Sequence, residues 1–135
     1  MANTTNTGSL KVAGDGASQK IPTINTLLDE FDSAFGGYLE KSVAGSGNVT
    51  LTRAEALHVC LKLTGVLTGA RVVLIPHLLG ASRFINIWNA TSGAFSLTVK
   101  TTAGGSTGPA ITQGKSQLVF HNNTNVHIAA PEVTP

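Results

Sequence analysis

The chain has 135 residues, room for one domain with a modest core and a small appendage. Hydrophobic residues make up 41% and charged residues only 12%, with a net charge of +2 and an isoelectric point near 8.9. The nine Lys and Arg are scattered, so no nucleic-acid footprint is present, and no apolar run approaches the eighteen or so residues of a membrane span, so no membrane partner is expected.

Residues 1–22 are rich in Thr, Asn, Gly and Ser and read as an extended N-terminal arm that can order only against a partner. Their start, MANTTNTGSLKVAG, lacks the basic and apolar regions of a secretory signal, so synthesis in a cytoplasm is expected. Over 23–35 the pattern changes. Ile24, Leu27, Leu28, Phe31 and Phe35 recur at helical spacing, opposite Asp29, Glu30 and Asp32, and Gly36-Gly37 closes the run. These five apolar residues are the candidate oligomer contacts. Their face packs either on the β domain of the same chain or against other copies around an axis.

Residues 36–46 complete a helix-and-connector segment, 23–46, and the β domain is expected over 47–130. Residues 48–52 give a first strand. Thr52-Arg53-Ala54-Glu55 fits a capping box, which predicts one helical turn over 54–57. Val59, Leu61 and Leu63 then alternate with Cys60, Lys62 and Thr64, the mark of a half-buried strand. Residues 67–70 read as a turn before a strand over 71–75 that Pro76 stops. Further strands are expected at 83–89 and 94–100, the latter with Phe95, Leu97 and Val99 on one face. A Gly-rich loop spans 101–109. A terminal hairpin over 117–130 turns at Asn122-Asn123-Thr124, and the tail, 131–135, has no reason to be ordered alone. About seven short strands after one helix predict a mainly β fold, a small antiparallel sandwich or barrel. A short solenoid is the lesser alternative, because the turn spacings are uneven.

Chemistry is quiet by comparison. Cys60, the single cysteine, reads as a small buried hydrophobe rather than a nucleophile. His58, His77, His121 and His127 fall on different elements without ligand spacing, so no metal is expected; a histidine from each copy on a symmetry axis, His121 or His127, is the one arrangement that could hold one. Asp15, Asp29, Glu30, Asp32, Glu40, Glu55 and Glu132 place no carboxylate pair on the sheets. The run 104–108 lacks the Lys and helix start of a phosphate loop. Neither catalytic residues nor a cofactor is expected. Trp88 is the weak candidate for a glycan platform; its place beside Ile85 and Ile87 favours core packing instead.

Several short motifs, in order, carry a resemblance. They are Gly47-Asn48-Val49-Thr50-Leu51-Thr52, Glu55-Ala56, Leu63-Thr64-Gly65, Pro76, NATSGAFSLTV at 89–99, Gln113-Gly114 and Thr124-Asn125-Val126. Together, across about residues 34–130, they resemble a module of bacteriophage tail proteins. In that module an NVTLT strand leads to an LTG turn, a strand ending in Pro, an N-x-T-S-G-A-F turn and a closing GTNV hairpin. Asn123 stands here where Gly is usual. The resemblance implies a virion structural protein made in the bacterial host cytoplasm. It implies a homotrimer that joins other virion proteins as a tail, baseplate or fibre component. A head decoration or head-fibre protein is the first alternative, and a module that binds host surface glycan the second.

Overall fold

The computed structural model describes residues 20–77 and 82–135. The arm expected over 1–22 lies outside the described residues except for its last three, which open the first helix. That helix, α1, runs Lys20–Gly36 and holds Pro22 in its first turn, where a missing backbone N–H costs no helical bond. The order that follows is β1 (Tyr38–Ser42), β2 (Gly45–Thr50), α2 (Arg53–Ala56), β3 (Cys60–Thr64), β4 (Leu67–Ile75), β5 (Arg83–Asn89), β6 (Leu97–Thr101), β7 (Ala110–Ile111), β8 (Ser116–His121) and β9 (Val126–Ile128).

The protein is mainly β, with two sheets over one shared core and no barrel closure. One sheet has the order β1-β3-β5-β8-β9 and the other β2-β4-β6-β7. The pairing corrects the antiparallel expectation. β1, β3 and β5 run parallel, as do β2, β4 and β6, and only β7, β8 and β9 pair antiparallel. From β1 to β6 successive strands alternate between the sheets, so the chain coils in three stacked rungs, nearer to the short solenoid than to a meander. Parallel neighbours need a long crossover between them. Here each crossover is a strand of the opposite sheet, so no covering helix is required.

Stacking in register builds ladders of like residues. Leu39, Leu61 and Ile87 lie side by side on the inner face of one sheet, and Val49, Val73 and Val99 on that of the other. Leu61, Leu63, Val73, Ile75, Ile85, Ile87, Leu97 and Val99 are fully buried. At roughly 1.5–3 kcal/mol for each such side chain, this double ladder is the main stabilising term of the β body.

Three corrections concern residues between the expected elements. Residues 38–46 are a full strand and the start of a second, not a connector, so the β body begins at Tyr38. Residues 67–70 are the first part of β4, not a turn. The tail is tied down: Val133 exchanges backbone bonds with Ser116 at 2.8 and 2.9 Å, and the Glu132 carboxylate accepts from the Thr112 N–H at 2.8 Å. The capping box is present as expected, with the Thr52 hydroxyl accepting from the Glu55 N–H at 3.2 Å and the Glu55 carboxylate accepting from the Thr52 N–H at 2.9 Å.

The corners between rungs carry the polar structure. Leu67 donates to the Ser92 carbonyl at 2.8 Å and Ser92 to that of Gly65 at 3.0 Å, so one corner lies directly on the next. A Cβ at Gly93, whose φ is 95°, would lie 2.4 Å from the Leu67 carbonyl oxygen, which leaves no room for any other residue. Beneath it, Asn89 is wholly buried. Its amide donates to the Ile111 carbonyl at 2.7 Å across to the second sheet, and its Oδ1 accepts from the Thr91 N–H at 3.1 Å and hydroxyl at 2.5 Å. Replacing Asn89 with Ala strands these partners in a dry interior, at about 2–4 kcal/mol of stability. Denaturant titration of the Asn89→Ala protein is expected to show that loss, with the slope of the transition unchanged.

Candidate functional site

The candidate site is sought on the surfaces of the β body and of the helix. The described residues contain no group of three or more His, Cys, Asp or Glu able to hold one metal ion. His58 Nδ1 lies 3.1 Å from the Glu55 carbonyl and His77 Nδ1 lies 2.6 Å from the Thr102 hydroxyl, while His127 stacks on Phe120 with ring centroids 5.0 Å apart. Cys60 is half-buried on the outer face of its sheet, where the Asn86 amide points at its sulfur from 3.7 Å, and not within the core. The parity of β3 decides this, since burying Leu61 and Leu63 turns Cys60 outward.

The candidate oligomer contacts fare differently. Ile24, Leu27, Phe31 and Phe35 line one side of α1 and are 41%, 50%, 62% and 79% exposed. Leu28 is half-buried beside them. The Phe31 and Phe35 rings lie nearly parallel with centroids 6.5 Å apart. The helix meets the β body on its other side, where Arg53 Nε donates to the Glu30 carboxylate at 3.2 Å. Between the two sides runs an open groove lined by Leu27, Glu30, Phe31, Ala34 and Leu57. Leu27 and Phe31 border Leu57 of the β body across this groove, and the rest of the stripe stays exposed.

Comparison with known protein families, with curated proteins and with solved structures finds no match. No helix among the described residues is long and apolar enough to cross a membrane.

Trp88 is not in the core, against expectation. Ile85 and Ile87 face inward, so Trp88 faces outward on the five-stranded sheet, half-buried, with Lys62 Nζ 4.6 Å from its ring centroid. Lys62 also pairs with Glu40 at 3.5 Å, so Glu40, Lys62 and Trp88 form one row across three strands. Such a cation over an indole face contributes on the order of 0.5–1 kcal/mol and covers one side of the ring. Tyr38 and Asn86 lie in the next row of the same face.

His121, which the sequence offers only as a residue for a symmetry axis, is buried instead. His121 is 1% exposed on the inner face, and among the described residues neither of its ring nitrogens has a hydrogen-bond partner. It sits directly across from Arg83 in the neighbouring strand, whose buried Nε is equally unpartnered. Burial first, and the Arg83 charge second, hold the imidazole below its ordinary pKa. The folded protein therefore keeps His121 neutral where the unfolded chain, with an ordinary value of about 6.5, takes up a proton. Stability is full above about pH 6.5 and falls as the pH drops below it, at up to about 1.4 kcal/mol per pH unit. Melting temperatures at pH 7.5 and 5.5 are expected to differ less in a His121→Leu variant than in the unaltered protein.

Proposed function

We propose that the protein is a non-enzymatic structural component of a bacteriophage virion, a small homotrimer of the tail, baseplate or fibre that assembles with other virion proteins. The observation that carries this reading is the exposed apolar stripe of Ile24, Leu27, Phe31 and Phe35 on α1. Contiguous exposed apolar surface of several hundred Å² marks an interaction site in a soluble protein. The four exposed side chains of the stripe offer roughly 500 Å² per chain, shared in a trimer between the two neighbours that each copy touches. The stripe also spans more of the helix circumference than a two-stranded seam needs, since Leu28 and Phe35 widen it beyond Ile24, Leu27, Phe31 and Ala34.

The resemblance of the motifs over 34–130 to a phage tail module supplies the setting, and sparing use of charge suits subunits that must approach closely. Decoration of the head is the alternative placement within the same class. Light scattering tests the assembly. The unaltered protein is expected at the mass of three chains, and the Leu27→Asp, Phe31→Asp double variant at the mass of one, with its β-sheet circular dichroism retained. A double variant that keeps the mass of three chains rules out the helix as the contact.

A surface that binds host glycan is the second reading. It is favoured by the outward position of Trp88 on a sheet face that also carries Tyr38 and Asn86. It predicts that the Trp88→Ala protein folds normally and loses the glycan binding of the unaltered protein on an immobilised array. Absence of binding by the unaltered protein removes this reading.

A further inference from the structure

The trimer reading leaves open how the copies meet, and the helix carries enough detail to say. Take Ile24 and Phe31 as the first position, a, of a seven-residue repeat lettered a to g. Leu27 and Ala34 then occupy d, Leu28 and Phe35 occupy e, and Glu30 occupies g. The groove beside the stripe is lined by Leu27, Glu30, Phe31 and Ala34, which is the d and g flank of the helix, and is completed by Leu57 from the end of α2. On the other flank stands Phe35 at e, the most exposed large apolar side chain of the described residues.

In a parallel coil each g position faces the following e position of the neighbouring helix, whereas an antiparallel pair sets g against g and e against e. The residue that follows Glu30 in this way is Phe35. We propose, building on the trimer reading, that the groove at Leu27, Glu30, Phe31, Ala34 and Leu57 is a socket for Phe35 of a second copy of this chain, and that the copies pack parallel and in register. Groove and ring are complementary in kind. The walls are apolar apart from Glu30, whose carboxylate is drawn back to Arg53 at 3.2 Å and leaves the mouth of the groove to carbon. Because Leu57 belongs to the β body, each Phe35 also fixes the neighbour's body against the coil. All β bodies then gather at one end of the coil and all N-terminal arms at the other.

Disulfide trapping in the full-length chain tests the socket. Cys60→Ser removes the lone native thiol, and Phe35→Cys and Leu57→Cys are made separately in that background with different affinity tags. Mixed, co-refolded and mildly oxidised, they are expected to give a cross-linked pair carrying both tags. Two Phe35→Cys chains cross-linking efficiently to Ile24→Cys chains instead would show antiparallel helices and overturn the proposal. So would a preparation that has the mass of three chains yet gives no link between positions 35 and 57. A mass of one chain for the unaltered protein overturns the trimer itself, a failure distinct from that of the socket.

Discussion

Stacking one rung on the next brings successive corners within backbone hydrogen-bonding distance, and most of the β body follows from that closeness. A corner touching another corner has no space for side chains on the contacting side, hence Gly93 over the Leu67 carbonyl. It also buries backbone groups that strands alone cannot satisfy, hence Asn89, whose single side chain serves one carbonyl of the second sheet and two donors of Thr91. The first corner has a rung on one side only and is braced in another way. Arg71 of β4 reaches back with its guanidinium to the carbonyls of Val43, Ala44 and Ser46, at 2.9 Å for the first two. A planar fork with several donors suits that task where an ammonium would not.

How much of this was readable from the residues depended on what each signal encodes. The capping box at Thr52, the helix with its apolar stripe and the strand over 83–89 were legible, because each is a local pattern with a local cause. The pairing direction was not. Period-two alternation says which face a residue occupies and is silent about its neighbour, so Val49, Val73 and Val99 look the same whether their strands run parallel or antiparallel. The turn expected at 67–70 failed for a related reason. Gly69 there serves close packing inside a strand, since a Cβ would lie 2.8 Å from that of Ser46 on the rung below. Asn123 illustrates the reverse case. Its φ of 69° explains why Gly suits that hairpin and why Asn, which tolerates the left-handed region, can replace it.

The surface signals divide in the same way. Exposure of Phe31 and Phe35 could be suspected from spacing, but only tertiary structure separates a stripe that packs on its own chain from one that does not. The outward position of Trp88 was legible and missed: parity with Ile85 and Ile87 fixes it, and apolar character misled. The inward position of His121 was harder to see, because the strand expected over 117–121 lacks clean alternation and Arg83 lies opposite it only once β5 and β8 pair.

A solenoid with an open end has two ways to assemble, by adding a strand to the exposed edge or by a separate element, and this chain discourages the first. Its edge strand β1 carries Glu40 and Lys41, which pair with Lys62 at 3.5 Å and Glu55 at 2.6 Å and set charge along the margin where another strand would join. Burial alone would raise the Glu55 carboxyl, but Lys41 and Thr52 outweigh it and hold it below the ordinary range, so this margin stays charged well into mild acid. The second edge strand, β2, opens with Gly45, Ser46 and Gly47, a poor template for pairing. The remaining edges, β7 and β9, are only two and three residues long, which leaves the exposed stripe of the helix as the contact we propose. In the trimer proposed above, a β body with blunted edges joined to a helix that gathers three copies would give a closed assembly instead of a fibre of indefinite length. That is the property a component of defined stoichiometry requires.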